Sequence, residues 1–198
     1  MKFLFDLGGV FFDWDPNHFF NDIFDKAEER EYFLTEVCND EWNIQQDAGR
    51  TIKEAEAVLI PKFPQYEKQI KMYYQNHRKM IRGTFNSSIK ALDKLKKKNY
   101  ECYVLSNWSA ETFVGMTDDY PFLQSFNGLL ISGEDKLAKP DAAIYELAIS
   151  RFNLIPQETV FIDDKLENIE AAKKLHLKTI HLVDPNKIEA EIDNFLIS

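Results

Sequence analysis

The chain has 198 residues, of which 44% are hydrophobic, and a formal net charge of −9. That suffices for one buried core, or one core with a smaller accessory domain, and the acidic balance argues against wrapping nucleic acid, which needs a basic face. Cys38 and Cys102 are too few for a disulfide framework or a metal site, and no apolar run approaches the roughly 20 residues that span a bilayer.

The first element is a short apolar strand, Lys2–Phe5, running into Asp6-Leu7-Gly8-Gly9-Val10. Two glycines end the strand there. A carboxylate is left at the carboxyl end of a strand, the edge at which open α/β sheets bind ligands. Glycines beside it let backbone amides approach an anion closely. The five residues before Asp6 show no signal-peptide pattern, so a reducing cytoplasmic setting is expected.

From about Pro16 to Arg82 strand signals stop. The spacing predicts helices over Asn17–Glu31, Tyr32–Cys38, Thr51–Ile60 and Tyr66–Ile81. Thr51-Ile52-Lys53-Glu54 reads as a capping box. Tyr66, Ile70, Tyr73, Tyr74, His77 and Ile81 share a helical face whose simplest reading is packing. Trp42, Gln46, Asp47 and Arg50 cluster around a glycine hinge at Gly49. This block reads as a helical insertion, leaving the main domain near Asp13–Asp15 and returning near Gly83–Asn86.

Strands then recur at Glu101–Leu105, Gly128–Ile131, Thr159–Ile162 and Lys178–Leu182. They alternate with helices predicted at Ser88–Lys98, Ala110–Asp118, Ala142–Phe152, Leu166–Leu175 and Asn186–Leu196. Such alternation of continuous apolar strands with helices predicts a parallel sheet covered on both faces. The basic run from Lys94 to Lys98 reads as a solvated helix end, where cations are favoured.

Three of these strands end in residues that carry chemistry. After Leu105 come Ser106, Asn107 and Trp108: a hydroxyl and an amide that suit an anion, or else turn and cap residues, with Ser109 able to cap the next helix. Lys139-Pro140 places a lysine before a proline suited to a first helical turn, which would aim that lysine or leave it at the surface. Phe161-Ile162 is followed by Asp163-Asp164, with Asn168 beyond. Adjacent carboxylates after a buried strand are costly unless a cation neutralises them, and hard oxygen ligands suit Mg²⁺. Each stretch alone reads as ordinary structure. In a parallel sheet all four lie on one edge.

In these four stretches the chain resembles the haloacid dehalogenase-like hydrolase superfamily, helical-cap branch, over residue 3 to about 183. The resemblance implies a fold: α/β, with a Rossmann-like parallel sheet, helices on both faces, and a helical cap inserted after the first strand. The core would be 1–15 and 83–198, the cap 16–82. The implied activity is that of a Mg²⁺-dependent phosphatase hydrolysing a small phosphorylated metabolite, a sugar phosphate or similar, through an aspartyl-phosphate on Asp6. By the same resemblance, Lys139 neutralises the transferring group. Ser106, with the amides of Leu7, Gly8 and Asn107, holds phosphate oxygens. Mg²⁺ sits between Asp6, the Gly8 carbonyl and Asp164, with Asp163 beside it and Asn168 orienting the shell.

One departure matters. Most phosphatases of the superfamily carry a second aspartate where this chain has Gly8, and that side chain protonates the leaving group. Asp13, Asp15, His18 or a cap residue would have to substitute. Two other readings stay open: a metal-independent 2-haloacid dehalogenase, a group that carries tyrosine at that position, and a catalytically weak member binding a phosphorylated ligand or protein partner. In the cap, Arg50 is expected either to meet a substrate anion by forked hydrogen bonds or to lie at the surface. Trp108 is expected to wall the pocket. No nucleic-acid or membrane partner is expected. Substrate identity and oligomeric state are not written in the sequence.

Overall fold

The computed structural model describes residues 1–197. Its strands are β1 (Lys2–Phe5), β2 (Phe12–Trp14), β3 (Ile81–Thr84), β4 (Glu101–Ser106), β5 (Gly128–Ile131), β6 (Thr159–Asp163) and β7 (Lys178–His181). Five form a parallel sheet in the order β5-β4-β1-β6-β7. The first strand is therefore central, and the chain switches side between β5 and β6. Phe5 is in register with Val104 on one side and Ile162 on the other. The next residues along, Asp6, Leu105 and Asp163, are thus neighbours at the carboxyl edge, and the Asp6 amide continues the ladder to the Ile162 carbonyl at 2.9 Å.

The helices are α1 (Asn17–Phe20), α2 (Ala27–Tyr32), α3 (Asp40–Asp47), α4 (Ile52–Leu59), α5 (Glu67–Gln75), α6 (Asn86–Lys97), α7 (Ala110–Phe113), α8 (Met116–Asp119), α9 (Ser132–Asp135), α10 (Ala142–Arg151), α11 (Leu166–Lys174) and α12 (Ile188–Ile197). Strand alternation sends Phe3, Phe5, Val104 and Ile162 to one face, where they bury Leu92 and Leu95 of α6 and Ile188 and Ile192 of α12. Leu4, Leu105 and Phe161 go to the other face, against Ile144 and Ala148 of α10 and Ile169 of α11. Helices on both faces bury the central strands β1, β4 and β6, which is why these read as apolar runs.

Residues between β2 and β3 form a separate helical layer with its own apolar cluster, including Phe20, Phe33, Trp42, Ile70, Tyr73 and Met80. The two strands pair antiparallel and form its stalk. They escaped the sequence reading because three or four residues are too few to show a period. Other boundaries differ as well. The stretch predicted as one helix over Asn17–Glu31 holds α1 and the start of α2 with a turn between them, and Phe33–Val37 continues as a π-helical turn. The helix expected to reach Ile81 stops at Gln75, and a 3₁₀ turn, His77–Met80, leads into β3. Gly115, at φ +80°, splits the predicted Ala110–Asp118 helix into α7 and α8. Both halves of the capping box form: the Glu54 amide donates to Thr51 Oγ1 at 3.2 Å and the Thr51 amide to Glu54 Oε2 at 3.0 Å.

Both cysteines are buried free thiols, and burial pushes Cys102 up to about 12. No helix of the described residues is long and apolar enough to cross a membrane.

His77 is buried, its ring centroid 5.6 Å from that of Trp108 and 6.1 Å from that of Trp14. Burial, helped by Arg78, pulls its imidazole down to about 4. The folded form thus favours neutral histidine, so this contribution to stability is complete above the unfolded pKa of about 6.5 and is lost as pH falls toward 4. Relative to His77→Gln, the wild type is expected to lose about 3 kcal/mol over that interval in urea unfolding. Parallel stability–pH curves for the two proteins would contradict this.

Candidate active site

Asp6 stands at the end of β1 and is 7% exposed. Lys139, 1% exposed, places its ammonium 2.9 Å from Asp6 Oδ1 and 2.7 Å from Asp163 Oδ2, and donates to the Leu105 carbonyl at 3.0 Å. A lysine with a flexible stem needs to be held to do this, and Asn107 holds it. The Asn107 side chain donates to the Lys139 carbonyl at 2.9 Å and accepts from the Lys139 amide at 2.8 Å. Pro140, expected in a first helical turn, lies before α10 instead: the Lys139–Pro140 peptide is cis, and Asp141 caps the helix by accepting from the Ala143 amide at 3.1 Å.

Asp163 is fully buried with both oxygens occupied. Asn168 Nδ2 reaches Oδ1 at 3.0 Å and Oδ2 at 3.1 Å, and the Lys165 amide donates to Oδ1 at 2.8 Å. Its work is to hold Lys139 and the loop after β6. Asp164 is only half-buried. One oxygen from each of Asp6, Asp163 and Asp164 lies within 4.8 Å of the other two. The cluster holds three carboxylates beside one buried cation, and Asp164 and Asp6 titrate accordingly. Burial raises Asp164 to about 7, with further push from Asp6 and Asp163. Burial likewise raises Asp6, while Lys139 pulls it back. Burial pulls Lys139 down, but Asp163 and Asp6 more than offset this and hold its ammonium charged. A hard-oxygen donor set with excess negative charge fits Mg²⁺, with Asp164 the carboxylate still free to turn toward it.

The Ser106 hydroxyl is buried with no hydrogen-bond partner. Such a group is costly to leave unmet and suits an incoming phosphate oxygen. The Leu7 amide favours the charged form of Asp6. The loop after β4 is fixed by Ser132, whose Oγ accepts from the Trp108 amide at 2.9 Å, and by the Gly133 amide, which donates to the Trp108 carbonyl at 3.1 Å. A Cβ on Gly133 would stand 2.4 Å from the Ala110 amide nitrogen, so only glycine permits this approach. Sequence reasoning missed this brace, which is a bond between distant loops and leaves no local pattern.

Gly8 and Gly9 differ. Gly9, at φ +67°, would press a Cβ to 2.5 Å from Asp164 Cγ, whereas a Cβ on Gly8 meets open space. Gly9→Ala is therefore expected to displace Asp164, cutting turnover about 100-fold and destabilising the protein by about 1–3 kcal/mol. Gly8→Ala should leave thermal melting unchanged. Equal melting for both variants would refute this distinction.

The helical layer sits on the core over this edge. The Ile52 amide donates to Glu111 Oε1 at 2.7 Å, and Arg78 Nη2 to the Val114 carbonyl at 2.7 Å. Gly49, at φ +93°, lies so close to Lys136 that a Cβ would meet its Cγ at 2.6 Å. Trp108 is buried at this junction, packed edge-on against Phe12 and Phe113. Arg50 behaves differently from the expectation. Its Nε donates to Gln46 Oε1 at 2.6 Å and its Nη2 to the Trp42 carbonyl at 3.1 Å. The fork expected for a substrate anion is thus spent inside the layer, bracing the end of α3.

Asp47, at the end of α3, is half-buried. Burial raises its carboxyl to about 7; Asp6 pushes the same way, while Lys165, the Ser109 amide and Lys139 act in the opposite direction. Asp13 and Asp15 do ordinary work. Asp13 pairs with His18 at 2.9 Å, and Asp15 accepts from the Asn17 amide at 2.8 Å.

A parallel sheet with an aspartate, a lysine and an acid pair gathered at its carboxyl edge defines a hydrolase site of one kind. The family model of the haloacid dehalogenase-like hydrolases matches residues 3–176, and the chain belongs to that family. It is 24% identical to a sesquiterpene phosphatase, astK, of Aspergillus oryzae, over 91% of this chain and 89% of that protein. Among solved structures it is similar to a HAD family enzyme of Bacteroides thetaiotaomicron in complex with magnesium and inorganic phosphate, at 26% identity and a TM-score of 0.68, covering 90% of this chain and 92% of the other. An L-2-haloacid dehalogenase of Xanthobacter autotrophicus shares the fold at 13% identity and a TM-score of 0.61, covering 90% and 75%.

Proposed function

We propose that this hydrolase is a Mg²⁺-dependent phosphatase acting on a small phosphorylated metabolite, a sugar phosphate or similar, with the core at 1–15 and 83–198 and a substrate-reading cap at 16–82. One observation carries the reading. Three clustered carboxylates face a single internal cation. Displacement of halide at carbon needs no such donor set, whereas attack on a phosphate dianion does.

Asp6 Oδ attacks phosphorus as the leaving oxygen departs, giving an aspartyl-phosphate. Lys139 stays charged beside it and offsets the charge of the transferring group. The Ser106 hydroxyl and the amides of Leu7, Gly8 and Asn107 receive phosphate oxygens. The Asn107 side chain keeps its task of holding Lys139. Asp6, the Gly8 carbonyl and Asp164 would hold Mg²⁺, with Asp163 adjoining; bound there, the ion supplies electrostatic stabilisation of the phosphoryl group. Trp108 and the helical layer exclude water from the closed site.

The test is a panel of phosphorylated sugars, nucleotides, flavin mononucleotide and terpenyl phosphates, run with Mg²⁺ and with EDTA beside 2-chloropropionate. Phosphate release that EDTA abolishes supports the reading. Chloride release indifferent to EDTA would replace it with the dehalogenase.

A further inference from the structure

We propose that Asp47, carried by α3, is the acid that protonates the leaving oxygen and the base that then takes a proton from the attacking water. This rests on the phosphatase reading above and adds the residue that handles protons.

An alkyl or sugar oxygen leaves phosphorus poorly without a proton. The core side of the site has none to give. Lys139 is engaged by Asp6, Asp163 and the Leu105 carbonyl. Asp163 has both oxygens bonded, Asp164 belongs to the metal set, and Gly8 has no side chain. Downstream, Asp13 is paired with His18 and Asp15 is occupied at the start of α1. His77 is held neutral by burial.

Asp47 comes from the opposite wall. The end of α3 is seated on Lys136, just past α9, and Ser132 and Gly133 of α9 are bonded to Trp108 in the loop after β4; there the neighbouring Ser109 amide, Asp6 and Lys139 all act on the Asp47 carboxyl. It is also aimed. The Tyr74 hydroxyl donates to Asn43 Oδ1 at 2.7 Å, which turns Asn43 Nδ2 toward Asp47 Oδ2 at 3.4 Å. Gln46 Nε2 ties the same helix to Tyr74 Oη of α5 at 2.9 Å and is itself held by the Trp42 carbonyl one turn back at 2.7 Å. Gly49 seats the end of α3 on Lys136 of the core. A carboxyl raised to about 7 carries a proton on a useful fraction of molecules at neutral pH.

The step balances as follows. Asp6 Oδ bonds to phosphorus, the bond from phosphorus to the leaving oxygen breaks, and the Asp47 proton moves to that oxygen to give the free alcohol. Asp47, now ionised, takes a proton from water as the water oxygen bonds to phosphorus and the bond from phosphorus to Asp6 breaks. Phosphate, an ionised Asp6 and a protonated Asp47 remain. Because the acid rides on the helical layer, protonation requires that layer to be seated.

The experiment measures kcat/KM for p-nitrophenyl, phenyl and benzyl phosphate with the wild type, Asp47→Asn and Asp6→Asn. In Asp47→Asn the benzyl ester should lose about 10²–10⁴-fold and the p-nitrophenyl ester, whose anion leaves unaided, less than about tenfold. A purely structural role would lower all three esters by one factor, and that result, or no loss at all, overturns Asp47. Turnover that survives in Asp6→Asn would overturn the phosphatase reading instead.

Discussion

Asp6→Asn is expected to lower phosphatase turnover on the order of 10⁴–10⁶-fold while leaving the protein folded. The change removes the attacking oxygen's charge and little volume. It also removes one of three mutually repelling carboxylates, and Lys139 keeps Asp163 at 2.7 Å. Thermal melting of the metal-free variant should therefore match or exceed that of the wild type. The Asp6 charge also adds to the burial that raises Asp164 to about 7, so neutralising it should let Asp164 titrate lower. Near-normal turnover, or a collapsed melting temperature, would refute the assignment of Asp6 as a chemical rather than a structural group.

Lys139→Met should cost both activity and stability. The substitution keeps a long chain but strips the cation from between Asp6 and Asp163, leaving buried carboxylates without a counter-charge. Breaking a buried pair in this way typically costs about 3–5 kcal/mol. The pH dependence has a definite sign. Without Lys139, Asp6 loses the charge that pulls its raised carboxyl back and is raised further in the folded state, and an acid raised by folding has its stability intact below its unfolded pKa and loses it as pH rises. The deficit against the wild type should thus be larger near pH 8 than near pH 5 in urea unfolding. A deficit independent of pH would mean that Lys139 is packing rather than charge.

The central strands β1, β4 and β6 were legible because each is buried on both faces and so appears as an apolar run, whereas the edge strand β7, Lys-Thr-Ile-His, is largely exposed. The edge residues were legible because Asp6, Ser106 and Asp163 follow those runs directly, or, for Lys139, because a proline marks the turn. What the side chains do was not. Asn107 reads as a phosphate-facing amide, yet its two bonds go to Lys139, a residue 32 positions away. Asp163 reads as half of a metal pair, and nothing in its sequence shows that it also binds Lys139, Asn168 and the Lys165 amide. The helical insertion was visible in outline through its capping box and apolar cluster. Its inner layout was not, because α3 buries only Trp42 and Gln46 and gives no period to read. Asp47 ends that helix and Arg50 lies just beyond it; the sequence offered Arg50 as an anion contact or a surface residue, whereas the structure folds it back onto Gln46 and Trp42, and it is Asp47 that feels the core groups Asp6, Lys139 and Ser109.

The central claim is that phosphorus, not carbon, is attacked, and that Asp6 attacks it. Turnover in water enriched in heavy oxygen tests this, with mass spectra taken of the product and of the Asp6 peptide. The account predicts one heavy oxygen in each phosphate released, none in Asp6, and a phosphoryl group on Asp6 when turnover is quenched in acid. Heavy oxygen accumulating in the Asp6 carboxyl during turnover of a 2-haloacid, with no phosphoryl group trapped there, would contradict it.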